Sequence, residues 1–244
     1  MDAAELARVL ASLEGGEMRA RKAAALLSEL EPIEAVSTLA ELLRRADRRT
    51  DPEAAALEGL LRAVRELLPE ERIEELFHAA GEELEVQALF TRAQAARSFD
   101  HDREEWIDRE MRARTLGERR QLARSHDRDL LVRLASDQDA TVVRHVLQNP
   151  RCTEREVLVA ASRRPQKADV LEEIFRSRRW SVNRRVRRAL ALNPYSPPSL
   201  ASAALALLTA PDLREVAGDL TISTDVRVQA RRLLGNRTGS RDGA

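Results

Sequence analysis

Cysteine occurs once in 244 residues, at Cys152, so this chain alone can form neither an intramolecular disulfide nor a thiolate metal cage. Aromatic residues make up only 3 %, and no β-branched or aromatic run marks a buried strand. No apolar stretch approaches the ~20 residues needed to cross a bilayer. The N-terminus lacks the basic and apolar regions of a secretory signal. A cytoplasmic protein without a membrane segment is therefore expected. The nine glycines are scattered, with no phosphate-cradling pattern, and GxSxG and CxxC are missing. Lysine is confined to Lys22 and Lys167, so nearly all positive charge is arginine. GC-rich coding is the plainer explanation, selection for bidentate contacts the sharper one.

What fills the chain is Ala, Leu, Arg and Glu, residues that lose little side-chain freedom in a helix. Net charge is zero, but unevenly spread: residues 1–100 carry 21 acidic and 13 basic side chains, residues 101–244 carry 20 and 28. An acidic N-terminal region of helical hairpins (1–100) is expected to precede a basic repeat region (101–235) and a disordered tail (236–244), all in one continuous array.

Apolar spacing in the first hundred residues predicts about six antiparallel helices. Leu6, Val9, Leu10 and Leu13 share one face, and Ile33, Val36, Leu39, Leu42 and Leu43 another. Asp51-Pro52-Glu53 starts a helix whose stripe is Leu57, Leu60, Leu61, Val64, Leu67 and Leu68. Pro69 opens a shorter helix that Gly81 closes. From Ser98 to Thr115 the pattern loosens into a charged surface helix with Trp106, Ile107 and Met111 as its large apolar residues. Thr115 with Glu118 matches a capping box.

Beyond this point the chain repeats. VVRHVLQNPRCTEREVL and VRRALALNPYSPPSLAS each read as an amphipathic helix stopped by Asn-Pro and then restarted, with Asn149-Pro150 and Asn193-Pro194 44 residues apart. Val142, Val186 and Ala230 keep this interval, as do Val146, Leu190 and Leu234, and Arg144, Arg188 and Arg232 on the polar side. A helix opening on Asp129, Asp169 or Asp212 precedes each copy. The restarts are a capping box at Thr153–Glu156 and a cap at Ser196 with Pro197 in first position. Proline forces the preceding residue out of the α region, and Asn tolerates the turn, so each pair is punctuation rather than chemistry. The third copy lacks Asn-Pro and ends at Gly235-Asn236.

A helical unit of roughly 40–47 residues is the signature of HEAT and armadillo arrays. Through LGERRQLAR, HDRDLLVRLASD, VLQNPRCTEREVL, SRRWSVNRRVRRALALNP and LREVAGDL, residues 115–234 resemble bacterial HEAT-like proteins related to leucine-rich repeat variants. This resemblance implies an all-α, HEAT/armadillo-like right-handed α-solenoid of short antiparallel helices, and it brings no activity with it. Some leucine-rich repeat variants hold a cysteine-bound iron–sulfur cluster, which a single cysteine cannot provide.

Candidate chemistry is sparse. His101-Asp102 and His126-Asp127 invite comparison with HD-type metal phosphohydrolases, but Arg103 and Arg128 beside them disfavour a cation site, and solvated pairs are expected. His78 and His145 lie on or beside apolar faces, where partial burial against a backbone partner is expected. Cys152 has no evident activating partner. No catalytic, cofactor or metal residues are assigned, and a non-enzyme is expected.

One surface stretch is unusual: residues 176–188, RSRRWSVNRRVRR, with seven arginines and one Trp. On a helix starting near Ser181, Val182, Val186, Ala189 and Leu190 face the core and Arg184, Arg185, Arg187 and Arg188 the solvent. Arg178, Arg179 and Trp180 lie in the preceding loop. Two readings stand side by side. In the plain one, the arginines pair with Glu154, Glu172 or Glu173 and Trp180 packs between repeats. In the other, Arg144, Arg178, Arg179, Trp180, Arg184, Arg185, Arg187, Arg188 and Arg232 form a partner-binding ridge. Guanidinium forks fit carboxylates or phosphates bidentately. An acidic protein segment is the expected partner, nucleic acid with Trp180 stacking on a base the alternative, and a HEAT-type DNA glycosylase a distant third. Oligomeric state is not legible.

Overall fold

Helix is what the composition asks for, and the chain supplies little else. The computed structural model describes residues 2–46, 51–91, 95–100 and 108–239, and among these are seventeen helices and no strand. The acidic stretch holds six: α1 (Ala3–Ser12), α2 (Gly16–Glu29), α3 (Pro32–Ala46), α4 (Asp51–Glu66), α5 (Glu70–Ala79) and α6 (Leu84–Phe90). There follow α7 (Arg109–Ala113), α8 (Leu116–Leu122), α9 (Arg128–Leu134), α10 (Ala140–Gln148), α11 (Glu154–Ser162), α12 (Ala168–Arg176), α13 (Arg178–Ser181) and α14 (Arg184–Ala191). Last come α15 (Pro198–Ala206), α16 (Ala210–Gly218) and α17 (Thr224–Gly239). No helix among the described residues is long and apolar enough to cross a membrane.

These helices gather into two compact units, one of residues 1–93 with 198–244 and one of residues 94–197. That division departs from the expected 1–100 and 101–235 boundary, because the third copy of the repeat falls in the same unit as the first six helices. Among the described residues of the charged segment the helix is the five-residue α7, with Met111 buried; Trp106 and Ile107 lie outside the described residues. α17 continues through Gly235 instead of ending there, and the remainder of the expected tail, 240–244, lies outside the described residues.

In the first unit α4 packs on α1 and α2. Gly59 makes the close approach possible, since a Cβ there would meet the Arg19 Cβ at 3.1 Å. Beside it the Arg19 Nε donates to Glu58 Oε2 at 2.7 Å, with both side chains almost wholly buried. Such a desolvated pair costs fold stability if either partner is removed. Ile33, expected in the α3 stripe, is instead 78 % exposed at the start of its helix. Every residue of α15 is buried, packed by α3, α4, α6 and α17, as its all-round apolar composition requires.

In the second unit, segments 44 residues apart in sequence make matching contacts. Asp139 and Asn183 cap α10 and α14 in the same way. The Asp139 Oδ1 accepts from the Thr141 and Val142 N–H groups at 2.9 and 3.1 Å, the Asn183 Oδ1 from those of Arg185 and Val186 at 2.9 and 3.4 Å. The Val142/Val146 and Val186/Leu190 stripes are fully buried. The Thr115–Glu118 and Thr153–Glu156 capping boxes form as expected. Ser196 does not cap: its hydroxyl donates to the Leu190 carbonyl at 2.7 Å, and α15 starts at Pro198 rather than Pro197.

The two Asn-Pro turns end their helices as predicted, but their side chains reach much further. The Asn149 Nδ2 donates to the Ala123 and Ser125 carbonyls at 2.9 and 2.8 Å, while its Oδ1 accepts from the Arg151 N–H at 2.9 Å. The Asn193 Nδ2 donates to the Ala161 and Arg163 carbonyls at 2.8 and 3.0 Å, and its Oδ1 accepts from the Tyr195 N–H at 3.0 Å. Each buried amide thus joins its own turn to the last carbonyls of an earlier helix, α8 in one copy and α11 in the other.

Replacing Asn193 by Ala strands two carbonyls and one N–H, and a loss of about 2–4 kcal/mol in urea unfolding is expected. Asn193→Asp is expected to cost more, because a carboxylate keeps the acceptor but turns a buried charge towards two carbonyls. A cost within about 0.5 kcal/mol for both variants, the range of an ordinary surface change, contradicts this role.

Candidate interaction surface

The charge division follows the two units closely: residues 94–197 carry 23 basic and 16 acidic side chains, and the rest carry 18 and 25. The second unit is therefore net +7 and the first net −7. What matters chemically is which arginines the fold already uses.

Most of the residues expected on the ridge have internal work. Arg144, on α10, grips Glu173 of α12 bidentately, Nε to Oε1 at 2.7 Å and Nη2 to Oε2 at 2.8 Å. Arg185 pairs with Glu154 at 2.8 Å from a side chain that is 73 % exposed, a contact that solvent makes weak. Arg179 donates to the Asn149 and Cys152 carbonyls at 3.1 and 3.0 Å, with its guanidinium 4.5 Å from the centroid of the Trp180 ring. Trp180 is buried, its indole N–H donating to the Leu147 carbonyl at 3.0 Å. Instead of stacking on a ligand, this pair holds the Asn149-Pro150 turn. The pairing with Glu154 and Glu173 and the packed Trp180 are what the plainer reading described.

Arg187 departs furthest from expectation. It is 2 % exposed and its Nε donates to the Ser181 carbonyl. Residues 178–181 form the separate α13, Asn183 caps a new start, and the buried face of α14 takes in Arg187 and Ala191 beside Val186 and Leu190. Val182, expected in the core, is consequently 38 % exposed at the break. Arg178 and Arg184 are exposed, and Arg188 is half-buried. Arg232, on α17, belongs to the first unit, and the other eight belong to the second.

Sequence reasoning missed a second cationic cluster. Arg120 and Arg124, one turn apart at the end of α8, lie against α10. The Arg120 Nε donates to the Thr141 hydroxyl at 2.8 Å, and the Arg124 Nη2 lies 3.3 Å from His145 Nε2. A guanidinium has no acceptor, so the imidazole nitrogen must accept and carry no proton. Burial, followed by the positive charge of Arg124, Arg120 and Arg144, holds His145 below the usual imidazole range. Its partner is a side chain, not the backbone group expected. Among the described residues neither Arg120 nor Arg124 has a carboxylate at ion-pair distance. The arrangement can receive an anion; the i, i+4 spacing of Arg120 and Arg124 was the available signal.

The remaining candidates resolve into structural roles. The Asp127 carboxylate caps α9, accepting from the Asp129 and Leu130 N–H groups, and His101-Asp102 lies outside the described residues. His78 is exposed, edge-on to the Phe77 ring with centroids 5.9 Å apart, not partly buried. Burial, reinforced by the Glu156 carboxylate and opposed by Arg179, pushes the Cys152 thiol up to about 12, which leaves no thiolate at neutral pH. Among the described residues no group of three His, Cys, Asp or Glu side chains is gathered as metal ligands would be.

Asp108, at the start of α7, is gripped by Arg133 of α9 through bonds of 2.7 and 2.8 Å, and Glu110 shares the same guanidinium at 2.7 Å. The Arg133 hydrogen bonds hold the Asp108 carboxyl down at about 2. Because this lies below the unfolded value near 3.9, the pair stabilises the fold fully above about pH 4. That contribution fades as pH falls from there towards about 2. In Arg133→Met, the Asp108 midpoint read by carboxyl NMR is expected to rise towards the ordinary range; an unmoved midpoint contradicts the assignment. No family model, no curated protein and no solved structure matches this chain.

Proposed function

We infer that this chain is a non-catalytic interaction scaffold, a HEAT-like α-solenoid acting in the cytoplasm, whose residues 94–197 offer a cationic face to an acidic protein segment. The repeat architecture is supported by the recurrence, at a 44-residue interval, of the same cap and the same asparagine bonds. The observation that carries the function is the cluster in which Arg120 and Arg124 flank His145 with no carboxylate at ion-pair distance among the described residues, next to Arg144 on the same helix; Asp139 reaches Arg120 only through the Thr141 hydroxyl. Like charges held together are costly, and an incoming carboxylate relieves that cost while meeting guanidiniums already positioned by α8 and α10. Exposed Arg178 and Arg184 extend the positive field of the unit. Arg187 takes no part, since its guanidinium is spent on the Ser181 carbonyl.

The nucleic-acid reading keeps guanidinium contacts to phosphate but loses the stacking platform, because Trp180 is buried beneath Arg179. A test uses Arg120→Glu with Arg124→Glu, measuring anisotropy with a fluorescent oligo-glutamate peptide and with a short DNA duplex at two salt levels. The peptide is expected to bind, and the double variant to weaken it at least about tenfold with helicity unchanged by circular dichroism. Duplex binding with a steep salt dependence, stronger than that of the peptide, replaces the acidic partner with phosphate backbone. Peptide binding that survives the double reversal overturns the assigned face.

A further inference from the structure

A cleft of about 330 Å³ opens within the first unit between α5, α6, α15 and α17. Its apolar wall includes Phe77, Leu84 and Val226, and Gln87, Ser202, Asp225, Gln229 and Arg232 also line it. Two of these polar groups belong to largely buried residues. Gln229 is 7 % exposed and Ser202 2 % exposed, and neither has a fully buried side-chain polar atom left without a partner. Both line the cleft, so their polar groups are open to water or to a bound molecule that takes its place. Arg232 adds a positive charge at the rim, on an exposed side chain with no acidic partner among the described residues.

We propose that this cleft is a binding site for a small amphipathic carboxylate, its apolar body against Phe77, Leu84 and Val226 and its carboxylate received by Arg232. The amide N–H of Gln229 and the hydroxyl of Ser202 supply further donors to the bound molecule. Asp225, the opposing charge of the lining, lies seven residues earlier on α17, about 10 Å away along the helix axis. The Arg232 end of the cleft is therefore cationic. A volume near the lower limit of ordinary ligand pockets limits the occupant to a small molecule. This site is independent of the cationic face on residues 94–197 and neither supports nor requires it.

Octanoate serves as the probe, followed by amide NMR shifts of the full chain, with octylamine as the opposite-charge control. Saturable shifts confined to α5, α6, α15 and α17 are expected with octanoate and not with octylamine. Arg232→Gln is expected to weaken binding about tenfold, and Ala88→Phe, which places a ring into the cleft from a half-buried position on α6, to abolish it with the helical spectrum retained. Three results overturn the proposal: no saturable shift with octanoate, equal binding of octylamine, or binding indifferent to both substitutions.

Discussion

The structure of residues 94–197 depends on one side-chain amide used twice. A helix end leaves its last carbonyls unsatisfied, and an all-helical unit must also set each helix against its neighbours without a sheet to fix the register. Asn149 and Asn193 meet both needs. Their two N–H donors close the C-terminal carbonyls of an earlier helix, and their oxygen closes the turn that follows. An amide is the group that suits this role, offering two donors and one acceptor without charge. Trp180 and Arg179 add a second layer around the first turn, bonding the Leu147, Asn149 and Cys152 carbonyls.

Arginine does two jobs that its abundance alone does not separate. Part of the population is internal scaffolding: Arg19 with Glu58, Arg133 with Asp108 and Glu110, Arg144 with Glu173, Arg187 on the Ser181 carbonyl. The planar, permanently charged fork suits these contacts in a way lysine does not. The rest creates field. Since internal pairs cancel one charge with another, the net +7 of residues 94–197 is expressed by the remaining side chains, and Arg120 and Arg124 beside a His145 whose Nε2 accepts show where it is concentrated.

Local signals were legible and relational ones were not. Capping boxes at Thr115 and Thr153, the Asn-Pro stops, and the stripes through Val142 and Val186 all depend on residues within one helical turn or one turn of chain, and these formed as read. The partners of Asn149 lie 24 and 26 residues away, and nothing in the local pattern names them. Arg187 was placed on the wrong side because the buried face of α14 is wider than the Val186/Leu190 stripe and takes in Arg187 and Ala191 as well. The cluster at His145 requires knowing that α8 lies on α10. Likewise the cleft lined by Gln229 joins α17 to α5, α6 and α15, which the expected linear array of repeats would have kept apart.

The central claim is that the two asparagine amides clamp separate helices, and side-chain amide hydrogen exchange tests it most directly. Asn183 gives an internal reference, because its Oδ1 caps α14 while it remains half-exposed. The Nδ2 protons of Asn149 and Asn193 are expected to exchange at least about a hundredfold more slowly than those of Asn183, in line with groups released only by opening of the packed helices. Exchange of all three at similar rates would contradict the clamp.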